Sequence, residues 1–235
     1  MATTKADAIG SLLSLYRDAR YLEVGVAQGR TFHALTAARK VAVDPKFKFD
    51  LPESQGGKPA SSYHQVPSDD YFGRLVDSGE RFDVIYLDGL HTFEQTLRDF
   101  CNAIRYLAPN GVIVVDDVMP SSYFASLRDL AQFHAVRKGR KDISDAWMGD
   151  VYRLVFFIET FFQQFTYRTI SDNLGQLVVW PERRAAIRER SVEATARAPY
   201  ESVLLERDAF RLAPFASILE EVRAWLAAAG SGKAV

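Results

Sequence analysis

The 235-residue chain carries 29 Lys and Arg against 30 Asp and Glu, a formal net charge of −1 that argues against nucleic acid or an anionic membrane as its main partner. With 48% apolar and 25% charged residues it fits a globular chain able to bury a full core, and its one cysteine, Cys101, excludes a disulfide framework and a cysteine-rich zinc site. No apolar run reaches membrane-spanning length and no signal-peptide pattern opens the chain, so the expectation is a soluble cytoplasmic protein.

Ile9, Leu12, Leu13 and Tyr16 predict an amphipathic helix over 6–18. Tyr21 to Val24 reads as a strand ending at Gly25, residues 30–39 as a helix, and Val41 to Val43 as a second strand ending at Asp44. Pro45, Pro52, Pro59, Gly56 and Gly57 make 45–61 a long loop. A third strand over Tyr63 to Val66 and a helix over 69–78 follow; Phe82 to Leu87 is a fourth strand, ending at Asp88. Thr92 and Gln95 have capping-box spacing before a helix whose apolar face includes Phe93, Leu97, Phe100, Ile104 and Leu107, with Cys101 read as a buried, inert thiol. "APNG" should end that helix, and Val112 to Val115 is the continuous apolar run of a central parallel strand, ending in Asp116-Asp117.

Beyond it, 122–137 reads as helix, 138–149 as a mixed loop, and Asp150 as the cap of a helix over 151–162. Phe165 to Ile170 and Gln176 to Trp180 flank "SDNLG" as a hairpin. The charged remainder is helical. A stripe of Phe215, Ile218, Leu219, Val222, Trp225 and Leu226 suits either packing on the domain or a homodimer. This order predicts an α/β fold: a doubly wound, Rossmann-like, mostly parallel seven-stranded sheet with a C-terminal antiparallel hairpin strand and helices on both faces. The expected division is a domain over 1–181 and a helical extension over 182–235.

Ligands of such sheets bind at the carboxyl ends of the strands. Glu23, Asp44, Asp88, Asp116 and Asp117 all fall there. Gly25 lets the backbone approach a ligand, and Gly29 lets the first helix start close to the sheet. A dinucleotide fingerprint needs a glycine where Ala27 stands, so that match fails. A glycine cradle with a ribose-binding acid at Asp44 and no phosphate fingerprint suits a nucleoside without phosphates, of which S-adenosylmethionine is the common one.

Glu23-Val24-Gly25-x-x-x-Gly29-x-Thr31, Val43-Asp44-Pro45, "FDVIYLDGLHTFEQTLRDF" and "LAPNGVIVVDD" resemble the class I S-adenosylmethionine-dependent methyltransferases, and among them the small-molecule O-methyltransferases of methyltransferase domain 24, over about residues 20–118. The resemblance implies that Glu23, Gly25, Val26, Gly29 and Thr31 lie along the carboxypropyl and ribose parts of the cofactor. It further implies that Asp44 holds the ribose, and that Ser68, Asp69 or Asp70 flanks the adenine, with Asp88 and His91 nearby. In relatives that methylate sugars and antibiotics, acids matching Asp88, Asp116 and Asp117 hold Mg²⁺. Against them stands the reading of these acids as caps and turn formers.

This chain departs from such relatives at Leu90, where they often place a further carboxylate base. His91, at a helix start where the dipole would keep it neutral, is then the candidate base beside Asp88. The acceptor expected is a small hydroxylated molecule, a sugar or natural product. A nicotinamide oxidoreductase and a non-catalytic binding protein are the alternatives.

Overall fold

The computed structural model describes residues 3–51, 60–140 and 142–231. The central part of the 45–61 loop lies outside them. In chain order the elements that position the site are α1 (Lys5–Leu13), β1 (Arg20–Val24), α2 (Arg30–Ala34), β2 (Arg39–Val43), β3 (Ser61–His64), α3 (Ser68–Asp70), β4 (Phe82–Leu87), α4 (Phe93–Tyr106) and β5 (Leu107–Val115). They continue with α5 (Leu130–Gly139), α6 (Arg153–Phe161), β6 (Thr166–Ile170), β7 (Leu177–Trp180), α7 (Val192–Ala196), α8 (Glu201–Leu205), β8 (Leu212–Ala213) and α9 (Phe215–Ser231).

One sheet runs β3-β2-β1-β4-β5-β7-β6-β8. The strands from β3 to β5 are parallel, β7 is antiparallel to both β5 and β6, and β8 runs parallel to β6. The sheet is the expected doubly wound one, with one edge strand more than seven: two residues carry no periodicity that could announce it.

Alternation sorts the strands onto two cores. Tyr21, Val84, Tyr86, Val112 and Val114 face a cluster that includes Ile9 and Leu12 of α1 and Ile218 and Val222 of α9. Leu22, Val24, Ile85, Leu87, Ile113 and Val115 face a cluster with Phe100 of α4 and Leu154, Val155 and Ile158 of α6. The C-terminal stripe thus lies against the chain's own core. Among the described residues no helix is long and apolar enough to cross a membrane.

Several local expectations change. α1 ends at Leu13 and α2 at Ala34, the latter because Leu35 is extended. "APNG" falls inside β5, at an irregularity in its register with β4. Residues 122–128 form turns, and the helix starts only after Asp129, whose side chain accepts from the amides of Ala131 and Gln132. Thr92 makes no side-chain cap; Asp150, expected to cap α6, instead accepts from Phe93 N at 2.7 Å and caps α4. Cys101 is exposed, on the solvent side of the amphipathic α4.

Candidate active site

β1 gives way to a turn at Gly25, whose φ of +88° is reached without strain only by glycine. A Cβ there would lie 2.0 Å from the carbonyl oxygen of Asp88. The missing side chain therefore lets the ends of β1 and β4 close on each other, with Asp88 N donating to Val24 O at 2.8 Å. Asp44 fixes the turn from the other side: its carboxylate accepts from Ala27 N at 2.8 Å and from Lys46 N at 2.7 Å.

A cavity of about 910 Å³ opens beside this turn. Gly25, Asp44, Ser68, Asp69, Asp88, His91 and Asp117 all line it. Glu23, Val26 and Thr31 instead line a smaller depression of about 420 Å³, which shares Lys5, Gly25 and Asp88 with it. Gly29, in the left-handed region at the start of α2, lines neither.

The far wall holds a hydrogen-bond cluster in which Gln95 Nε2 lies 3.2 Å from Ser68 Oγ, 3.2 Å from Asp69 Oδ1 and 3.1 Å from Asp99 Oδ1. Burial lifts the Asp99 carboxyl to about 6, against its bonds to Ser68 and Gln95. Gln95, which has capping-box spacing in the sequence, serves this wall instead, and Asp99 joins it; their spacing of four on α4 is the sequence signal for the pair.

The acids at the ends of β4 and β5 do not meet at one point. Adjacent residues leaving a strand face opposite sides, so Asp116 continues the side of Val114 and Tyr86, toward α1, and Asp117 faces α4. Asp116 Oδ2 accepts from Tyr86 OH at 2.8 Å and pairs with Lys5 Nζ, which also lies 3.5 Å from Asp88 Oδ2. Asp117, with a left-handed φ of 58°, places Oδ2 3.1 Å from His91 Nδ1. His91 Nε2 lies 3.4 Å from Asp88 Oδ1. The imidazole is thus held between two carboxylates. Its Nδ1 also lies 3.0 Å from Trp147 O, and its ring stacks on the Trp147 indole at 4.9 Å and 14°. A Cβ on Gly149 would lie 1.8 Å from His91 O, so that glycine lets the 147–150 segment close against the His91 backbone.

This arrangement overturns the expected neutral imidazole. Burial alone would lower the His91 pKa, but the bond to Asp88 and the charges of Asp117 and Asp88 hold it up at about 9. The helix dipole is outweighed by two direct carboxylates. Burial would raise Asp88; His91 and Lys5 hold it below its ordinary value. Asp117 is pushed up to about 6 by burial and by the charge of Asp88, against His91. Burial and its acidic neighbours hold Asp116 well above the carboxylate range, and its Oδ1 is buried without a hydrogen-bond partner.

Mg²⁺ prefers several hard oxygen donors in octahedral array. The groups that converge are Asp88, His91 and Asp117, one of them a nitrogen donor already set between the two carboxylates. Asp116, the third acid of the expected ligand set, is engaged by Lys5 and Tyr86. A divalent ion shared by Asp88 and Asp116 would have to displace the Lys5 ammonium, so the residues as arranged do not fit Mg²⁺.

An antiparallel β7 between β5 and β6 separates this sheet from the all-parallel dinucleotide-binding order. With the strand-end crevice, this is the sheet order that the resemblance to class I methyltransferases implies. Residues 22–118 match the family model Methyltransf_24, described as a methyltransferase domain. Among solved structures, a Klebsiella pneumoniae protein assigned as an O-methyltransferase aligns with a TM-score of 0.50 at 14% identity, covering 77% of this chain and 81% of that one. The O-methyltransferase TomG of Streptomyces achromogenes, from tomaymycin synthesis and solved with S-adenosylmethionine, gives 0.48 at 19% identity over 74% and 78%. A Bacillus cereus O-methyltransferase solved with S-adenosylhomocysteine gives 0.48 at 14% over 77% and 82%. No curated protein sequence matches the chain.

Proposed function

We propose that the protein is an S-adenosylmethionine-dependent O-methyltransferase whose acceptor is a hydroxyl on a small molecule. The observation that carries this reading is a single cavity shared by the Gly25 turn, Asp44 and the Asp117–His91–Asp88 group. A glycine whose Cβ would collide with the Asp88 backbone lets the turn after β1 lie against the end of β4 at the edge of the cavity, and the cavity volume suits a nucleoside. Gly25 and Asp44 would hold the carboxypropyl and ribose parts, and Ser68, Asp69, Gln95 and Asp99 the adenine. When bound, the cofactor supplies a methyl group on a sulfonium.

The chain itself must orient the acceptor and take its proton. Orientation supplies much of the barrier reduction in such displacements, roughly 7–11 kcal/mol at best. Asp117 suits the base: it lines the cavity, and its carboxyl is raised toward the working pH while remaining ionised near neutrality. His91, held protonated, orients Asp117 and offsets its charge. Asp88 orients His91 in turn. Leu90 and Leu174, 58% and 59% exposed, border the cavity with Trp147. That rim favours an acceptor with an apolar body, a natural product rather than a free sugar.

Calorimetric titration with S-adenosylhomocysteine tests the cofactor, with NAD as control and Asp44→Ala beside wild type. Binding of the first alone, weakened in the variant, supports the reading and justifies a labelled-methyl screen of hydroxylated acceptors. Binding of NAD instead would overturn it. Cofactor binding with no transfer to any hydroxylated acceptor would favour a binding protein.

A further inference from the structure

The acid cluster contains a cation from outside the strand ends, Lys5. Lys5 is the first residue of α1, and its backbone is fixed from both sides. Thr4 and Asp7 form a reciprocal capping box, with Asp7 N donating to Thr4 Oγ1 and Thr4 N to Asp7 Oδ2, each at 3.1 Å. Thr3 N donates to Asp172 O at 3.1 Å, tying the start of α1 to the turn between β6 and β7. Ala8, Ile9 and Leu12 anchor the helix in the core. This lysine therefore has a fixed origin, and its ammonium lies over the ends of β4 and β5.

There it meets two carboxylate oxygens that already share a donor. Tyr86 OH lies 3.1 Å from Asp88 Oδ2 and 2.8 Å from Asp116 Oδ2, and Lys5 Nζ reaches the same two atoms. An ammonium has three donors, and these two ion pairs can draw on at most two of them. Lys5 also lines the main cavity, where a third can face a bound oxygen. A divalent ion at such a site would let acids sit together beside the ligand and give an oxygen a positive partner. Lys5 supplies both.

We propose that Lys5 is the resident cation of this site, joining Asp88 to Asp116 in place of a divalent metal ion, so that the site assembles and works without one. His91 does the matching work between Asp88 and Asp117, which leaves none of the three carboxylates without a cation beside it. The inference rests on the methyltransferase reading of the same cavity. Lys5 positions the two acids in it and keeps a donor toward the cavity.

Metal affinity is the direct test, because it needs no known acceptor. Mn²⁺ binding is followed by electron paramagnetic resonance for the full chain with S-adenosylhomocysteine, comparing wild type, Lys5→Met and Lys5→Arg. The expected result is only weak binding by wild type and Lys5→Arg, and affinity raised about tenfold or more in Lys5→Met, whose bared acids recruit the ion. Mg²⁺ should compete the Mn²⁺ from Lys5→Met and raise its melting temperature more than that of wild type.

Tight Mn²⁺ binding by wild type would overturn the proposal, as would equal affinities in wild type and Lys5→Met. A Lys5→Met chain that does not fold leaves the wild-type and Lys5→Arg arms to decide: tight binding in either refutes resident cation chemistry, and weak binding in both supports it. S-adenosylhomocysteine affinity, measured separately on wild type, distinguishes failure of the methyltransferase reading from failure of the lysine assignment.

Discussion

Two charge clusters among the described residues differ in balance. At the ends of β1, β4 and β5, the acids Glu23, Asp88, Asp116 and Asp117 face Lys5 and His91. Around the C-terminal end of α6, Arg190 bridges Glu159 and Glu206 at 2.6 Å each, and Arg188 reaches Glu206 at 3.3 Å and pairs with Asp208. Buried Arg184 completes that lattice by donating to the carbonyls of Phe165, Ile158 and Glu159 at 2.7, 2.8 and 3.1 Å. Acids match arginines in the second cluster, and its role is to hold the C-terminal segment. The first has acids in excess beside a cavity. Such an excess costs stability, and a fold retains it where the site has work to do.

The largest effect should come from forcing apart the ends of β1 and β4 at the edge of the crevice. Gly25→Ala puts a methyl into the Asp88 carbonyl and strains a positive φ. S-adenosylhomocysteine affinity, read by calorimetry, should fall by about a hundredfold or more, roughly 2.7 kcal/mol. Retained affinity would mean that the Gly25 turn does not form the cofactor cradle.

The comparison sharpens when one charge is removed from each cluster. Arg190→Met leaves Glu159 buried with its principal partner gone, and should lower unfolding free energy by about 3 kcal/mol while leaving cofactor affinity within about twofold. Asp117→Asn acts in reverse. It removes the burial cost of a carboxylate, which with the charge of Asp88 outweighs the pull of His91, so stability at pH 8 should rise by about 1 kcal/mol, whereas methyl transfer should fall by about 10² or more. Denaturant melts beside a transfer assay check both. Loss of stability in Asp117→Asn would erase the distinction between the clusters.

The excess acids also set a pH dependence. Asp99 and Asp117 are raised to about 6, Glu23 to about 8 chiefly by burial, and His91 to about 9. Each binds its proton more tightly folded than unfolded, so the folded chain holds more protons and unfolding free energy falls as pH rises. For His91 the stabilisation is complete below its unfolded pKa of about 6.5 and is lost as pH rises through about 9. Thermal midpoints should decline from about pH 5 to pH 9, and His91→Gln should flatten the upper part, worth at most about 3 kcal/mol. A midpoint that climbs over this range would contradict the proton assignments.

How far the site could be read in sequence follows from the same physics. The strand-end acids were visible because a parallel strand announces its end, and the glycine turn because few residues other than glycine adopt its dihedral angles. The division of Asp116 from Asp117 was implicit in strand alternation, yet adjacency in sequence suggested a pair. Lys5 carried no signal, since a lysine in a first helical turn is ordinary and only the tertiary placement of α1 aims it. The capping of α4 by Asp150 was equally hidden: a distant carboxylate took the place of the local box at Thr92. At His91 the helix start supplies only a partial charge, and the two full carboxylate charges of Asp88 and Asp117 outweigh it.

Trp147 offers the finest test of the cavity side of the comparison. Its indole covers the His91 ring, its Nε1 donates to Leu127 O at 2.5 Å, and its carbonyl lies against His91 Nδ1. Trp147→Ala keeps the carbonyl and removes the stacked face, so the imidazolium should lose about 1 kcal/mol of aromatic support. The bonds to Asp88 and Asp117 remain, and so the His91 pKa, followed by NMR, should fall by less than about one unit. Cofactor affinity should stay within about twofold. Once an acceptor is known, its KM should rise by up to about tenfold as the apolar rim is opened. A large change in cofactor affinity with an unchanged KM would move Trp147 from the acceptor side of the cavity to the cofactor side, and the acceptor pocket would then have to be sought beyond Leu90 and Leu174.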